Sequence, residues 1–141
     1  MKSMSQISSI VDTYIVVMPW NENINLSNEF RIFVLDGKIR AISQQKWYVY
    51  AGLTRERITN ITSDLFAGTM KIVDRLPYLD LSLDVWIDDN KEVHLIEVNP
   101  GGRWCCSASM LFNWTDDSIW DDDGQIYVRY VEQNIENFEL D

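Results

Sequence analysis

Two carboxylates and a carboxamide, Asp84, Glu97 and Asn99, sit within two apolar runs, residues 81–88 and 93–99, on either side of the polar residues 89–92. Such a pattern reads as two strands and a turn. With a turn of two residues (Asn90-Lys91) or four (89–92), Asp84 falls directly opposite Glu97. Leu81, Leu83, Val85, Ile87, His94, Ile96 and Val98 then share an apolar face, and Ser82, Asp84, Trp86, Leu95, Glu97 and Asn99 share the other. Opposed residues on one face have Cβ atoms about 4.5–5.5 Å apart, and like charges so placed repel unless something positive lies between them. Asn99, two residues beyond Glu97, points the same way. Two carboxylates and an amide oxygen suit a hard cation such as Mg²⁺, which shares itself between carboxylates and substrate phosphates. The plain alternative is a solvated strand face that happens to be acidic.

A second hairpin is signalled by Asp36-Gly37, because both positions tolerate the positive φ of a type I′ turn. With that turn, Phe30, Ile32, Val34, Ile39, Ala41 and Ser43 share one face. Glu29, Arg31, Phe33, Lys38, Arg40, Ile42 and Gln44 share the other, with Arg31 and Arg40 as diagonal neighbours. A guanidinium in mid-strand offers a fork of donors that fits phosphate oxygens. An ordinary surface ion pair, Glu29 with a basic neighbour, accounts for the same pattern. The Gly101-Gly102 loop allows close backbone approach to a ligand, but the chain carries no phosphate-binding glycine loop ending in Gly-Lys-Ser/Thr.

Other site chemistries are poorly served. The cysteines are two adjacent residues, Cys105 and Cys106, and the single histidine is His94, which is not the spaced set a zinc site needs. His94 reads as a core or edge residue of a strand, so a Cys-His nucleophile is not expected either.

The elements that must hold these side chains follow from periodicity. Residues 13–18 are β-branched and read as a strand stopped by Pro19; residues 20–28 form an Asn-rich loop. Residues 29–35 and 38–44 are the strands of the first hairpin. Ile58, Ile61, Leu65, Ile72 and Leu76 recur at helical spacing, so an amphipathic helix is expected over 54–75, capped by Thr54 and ended by Pro77. Gly68 within it costs about 1 kcal/mol relative to alanine. Residues 125–131 read as a late strand. The expected fold class is α+β, a mostly antiparallel sheet with one main packed helix, in a single domain over 1–141 whose acidic tail frays from about 132.

Composition agrees with an ordered chain. The 141 residues are enough for one core, and six Trp, six Tyr and five Phe supply apolar area to offset ordering. A net charge of −10 argues against nucleic acid as a partner. A nucleotide is still compatible, since Mg²⁺ brings its own positive charge. Residues 1–10 lack the features of a signal peptide, and no apolar run approaches the ~20 residues of a membrane helix, so a cytoplasmic protein off the membrane is expected.

Specific residues carry a family resemblance. Glu29-Phe30-Arg31-Ile32-Phe33-Val34, Gly37-Lys38-Ile39 and Ile42-Ser43-Gln44 form one cluster. Asp84-Val85-Trp86, Leu95-Ile96-Glu97-Val98-Asn99-Pro100 and Leu111-Phe112-Asn113-Trp114 form another. Across residues 13–131 their order and spacing resemble the cell division cycle protein 123 family, a branch of the ATP-grasp superfamily. The resemblance implies that this chain is the C-terminal ATP-grasp portion, that ATP and Mg²⁺ are its cofactors, and that Asp84, Glu97 and Asn99 hold the metal. It implies that Arg31 faces the phosphates as the catalytic group and that Val17, Met18 and Trp20 belong to a hinge whose backbone holds adenine. Met18-Pro19 departs from the basic residue the family commonly carries there, and the family's amino-terminal lobe has no counterpart in the sequence; the alternatives are a second chain that supplies it, weak ATP binding, or a reduced remnant of the fold. Members of the family help assemble translation initiation factor 2, which makes a subunit of that factor the expected partner. An ATP-dependent carboxylate–amine ligase working through an acyl-phosphate, and a reduced protein-binding module without nucleotide, are the competing functions.

Overall fold

Asp36 and Gly37 adopt φ of 52° and 69°, the paired left-handed conformations of a type I′ turn, and fold residues 29–44 back on themselves. The strands so joined are β1 (Glu29–Leu35) and β2 (Lys38–Gln44). A helix, α1 (Arg55–Val73), follows, then β3 (Leu81–Ile87), β4 (Val93–Pro100), a short helix α2 (Asp117–Trp120) and β5 (Tyr127–Arg129). These belong to a computed structural model that describes residues 14–103, 105 and 111–132. The strands form one sheet in the order β4-β3-β1-β2-β5, antiparallel throughout except for the β2–β5 pair. This is the expected α+β class, a mostly antiparallel sheet with one long helix among the described residues.

The long helix begins where its sequence says. Thr54 is extended, and its hydroxyl accepts a hydrogen bond from the Arg57 amide, satisfying one of the orphan donors of the first turn. Ile58, Ile61, Leu65 and Val73 line its buried face and pack on Phe30, Ile32, Val34, Leu81, Leu83, Val85 and Ile87. Each such side chain contributes about 1.5–3 kcal/mol by leaving water. Gly68 has a packing reason: a Cβ there would lie 2.5 Å from Val93 Cγ2 on β4, so the helix reaches the sheet only because the side chain is absent.

The other face of the sheet is also partly covered. Phe33, Leu35 and Ala41 pack against Phe112, Trp114 and Ile119. Phe33 meets Trp114 edge-on at 5.2 Å and Phe112 at 5.8 Å. The phrase Leu111-Phe112-Asn113-Trp114 therefore builds a second core, and the Arg129 guanidinium lies 4.0 Å from the centre of the Phe112 ring while donating to the Leu111 carbonyl.

Three expectations need correction. The strand expected over 13–18 does not form in its described part: residues 14–18 pair with nothing among the described residues, and Tyr14, Ile15, Val16 and Val17 are all at least 79% exposed. Their β-branched character is a preference for a pleated, half-buried surface that no neighbour supplies. In the first hairpin, Val34 opposes Ile39 but Phe33 opposes Ala41, so Arg40 is a bulge. Beyond it the alternation inverts: Ile42 turns to the helix face, while Ala41 and Ser43 join Arg31. Arg40 is thus not a diagonal neighbour of Arg31; it is buried and ion-paired with Asp122 at 2.7 Å. In the second hairpin the loop holds three residues between Asp88 and Glu92, with Lys91 left-handed at φ 64°, rather than two or four. His94 accordingly faces Trp86, stacked at 4.5 Å, and does not lie with the apolar set.

No helix among the described residues is long and apolar enough to cross a membrane. Residues 1–10, Cys106 and the end of the acidic tail lie outside the described residues.

Candidate functional site

A three-residue loop alone would slip the pairing by one and set Asp84 opposite Ile96. It does not, because a bulge at Ile96 restores the register: Val85 opposes Leu95, yet Asp84 opposes Glu97 and Ser82 opposes Asn99. Two irregularities cancel, and Asp84, Glu97 and Asn99 occupy adjoining positions on one sheet face.

On its other flank, Asp84 opposes Arg31 of β1. Arg31 Nε donates to Asp84 Oδ1 and Nη2 to Oδ2, both at 2.7 Å. Gln45, just past the end of β2, donates from Nε2 to Oδ2 at 2.9 Å. Asp84 is only 3% exposed, so this fork replaces the water it has lost. Arg31 supplies the positive charge that the opposed acids require. Its hydrogen bond to Asp84, helped by the charges of Asp84, Glu97 and Glu29, holds the guanidinium pKa above its ordinary value against the opposing effect of burial. For Glu29, burial first and Asp84 second push the carboxyl pKa up, while Lys46 and Arg31 pull it down.

Glu97 is exposed and Asn99 half-buried, so both side chains are open to a ligand. Asp84 uses each carboxylate oxygen toward nitrogen donors, but a carboxylate has about four acceptor positions and three are engaged by these bonds. The donor set is all oxygen, which fits Mg²⁺ rather than a softer metal.

The remaining expected residues are placed unevenly. Met18 and Trp20 line a hollow of about 270 Å³ with Ile24, Trp86, Leu95 and Ile96. Trp86 lies two residues from Asp84 on the same face, so the hollow adjoins the acidic patch. Val17 is 87% exposed and does not line it. Glu29, expected on the Arg31 face, completes the surroundings of the pair together with Gln45 and Lys46, which motif reading missed. Only their position at the strand ends flanking Arg31 could have signalled them.

This arrangement can be set beside known proteins. The D123 family model matches residues 1–140. The chain belongs to the D123 family. Among D123 relatives, the translation initiation factor eIF2 assembly protein of Candida albicans is 34% identical over 113 residues, which cover 75% of this chain and 31% of that protein. Cell division cycle protein 123 of Candida glabrata is 32% identical over 96 residues, 66% of this chain and 26% of its own length. The structure of Cdc123 from Schizosaccharomyces pombe superimposes with a TM-score of 0.64 at 21% identity, covering 89% of this chain and 51% of that one. That likeness shows the fold. The chain spans about a third of the length of the curated relatives it matches.

Proposed function

We propose that this D123-family chain binds Mg-ATP on the acidic face of β3 and β4, in an ATP-grasp manner, and acts in the assembly of translation initiation factor 2. The reading is carried by one observation: the bulge at Ile96 keeps Glu97 opposite Asp84, with Asn99 next on the same face. In this reading Asp84, Glu97 and Asn99 hold the metal. Bound Mg²⁺ would neutralise the phosphate oxygens and fix their orientation.

The chain's own residues divide the rest of the work. Arg31 fixes both oxygens of Asp84 and adds positive charge beside the phosphates. Gln45 locks the same carboxylate from a third direction. Met18, Trp20, Trp86 and Ile96 offer an apolar hollow for a purine. Two of the relatives carry the name eIF2 assembly protein, which supports a protein-assembly role over an acyl-phosphate ligase.

Titration calorimetry with ATP in the presence and absence of Mg²⁺ tests the nucleotide. Binding that needs Mg²⁺ and weakens at least tenfold in Glu97→Gln is expected. Absence of Mg²⁺-dependent binding would overturn it. Co-precipitation with purified subunits of translation initiation factor 2 tests the partner independently.

A further inference from the structure

The far end of the same hairpin holds a second convergence of ligating groups. The Asp88 amide donates to the Glu92 carbonyl at 3.0 Å, which sets these two residues opposite each other across the loop. His94 lies two residues beyond Glu92. Strand alternation therefore puts Trp86, Asp88, Glu92 and His94 on one side. One ligand atom from each of Asp88, Glu92 and His94 can be chosen so that all three lie within 4.8 Å of one another.

Two of the three groups are already fixed. Asp88 Oδ1 accepts from the amides of Asn90 at 2.8 Å and Glu92 at 2.9 Å, which leaves Oδ2 directed at His94 Nε2, 2.8 Å away. Independently of those bonds, the imidazole is stacked on the Trp86 ring with centroids 4.5 Å apart and planes 22° apart, so the ring plane is set from outside the cluster. Asp88 borders one hollow of about 460 Å³, and Glu92 and His94 border another of about 430 Å³, so the cluster can be reached from solvent on both sides.

We propose that Asp88, Glu92 and His94 form a binding site for a divalent transition ion of the Zn²⁺ class, separate from the acidic face around Asp84. An imidazole with two carboxylates favours such an ion over Mg²⁺ or Ca²⁺, which prefer all-oxygen shells. Zn²⁺ takes His nitrogen at about 2.0–2.1 Å and carboxylate oxygen at about 2.0–2.2 Å in a tetrahedron, which sets ligand atoms about 3.4 Å apart, so His94 Nε2 and Asp88 Oδ2 open from 2.8 Å while the Glu92 carboxylate swings in. Three protein ligands leave a position for water. The ion takes the place of the proton between His94 Nε2 and Asp88 Oδ2; the neutral imidazole then carries its one proton on Nδ1 and presents the Nε2 lone pair to the metal. It also neutralises Asp88 and Glu92, two like charges directly opposed on one face.

Calorimetric titration of the metal-stripped chain with Zn²⁺, in excess Mg²⁺, tests the site. One Zn²⁺ is expected to bind, with affinity reduced at least tenfold in His94→Gln and in Glu92→Gln, and unchanged in a Cys105→Ser/Cys106→Ser double variant. Glu92 is exposed, so its substitution reads the site without disturbing the fold. No Zn²⁺ uptake, uptake insensitive to both site substitutions, or uptake lost in the cysteine variant would overturn the proposal. None of these results bears on Mg²⁺-dependent ATP binding.

Discussion

Arg31 and Asp84 face each other across neighbouring antiparallel strands and are joined by two parallel hydrogen bonds of 2.7 Å. Their side chains are 14% and 4% exposed, so the pair is shielded from solvent at the centre of the sheet. Asp84 is thus held between a guanidinium on one flank and the exposed carboxylate of Glu97 on the other. The pair fixes the geometry of the candidate site before any ligand arrives.

Breaking that pair from one side should be costly. Arg31→Leu leaves a buried, uncompensated carboxylate opposite Glu97 and is expected to lower stability by about 3–5 kcal/mol. An Arg31→Leu/Asp84→Leu double variant should recover most of the loss, because both desolvated charges go together. Urea denaturation of the three proteins checks this; equal losses in single and double variants would show that the pair is not coupled.

Glu97 should behave in the opposite way. It is exposed and makes no ion pair among the described residues, so Glu97→Gln is expected to change stability by no more than about 0.5 kcal/mol. The same denaturation series reads this. A stability loss above about 2 kcal/mol would mean that Glu97 is structural, and would remove it from the ligand set.

Gly68→Ala separates propensity from packing. Alanine gains about 1 kcal/mol in a helix interior. Its Cβ, however, would sit 2.5 Å from Val93 Cγ2 and 2.6 Å from Val93 Cβ. Overpacking of this kind costs about 1–3 kcal/mol, so no gain or a net loss in melting temperature is expected. A clear rise in melting temperature would show that α1 and β4 can separate freely.

The Glu29 carboxyl supplies a pH dependence. Its pKa is raised in the fold, chiefly by burial, so the native state binds this proton more tightly than the unfolded chain. The stabilisation from the proton is full below the unfolded value and is lost as pH rises through the folded value. At neutral pH the charged form is the disfavoured one, so Glu29→Gln should be more stable than the parent at pH 7. The difference should shrink toward zero below about pH 4. Denaturation midpoints of both proteins at the two pH values check the sign.

How much of this was legible in the sequence varies with the range of the interaction involved. Thr54, the Ile58–Ile61–Leu65 spacing and Asp36-Gly37 are local signals, and each produced the expected helix start, buried stripe and turn. Residues 13–18 carried an equally strong local signal, yet 14–18 form no strand, since pairing needs a partner elsewhere in the chain. Both hairpins were assigned the right strands with an alternation that fails partway along, because bulges at Arg40 and Ile96 leave no mark in apolar periodicity.

The sequence by itself determined the order of strands and helix and the family to which the chain belongs, because turn chemistry, capping and motif spacing act over a few residues. Tertiary structure alone decided that Arg31 reaches Asp84, that Gln45 joins them, and that His94 lies on Trp86 beside Asp88. Residues 31 and 84 are neighbours only because β1 inserts between β2 and β3 in the sheet. That arrangement is set by burying both faces of the central strands, a property of the whole chain that no short stretch of it encodes.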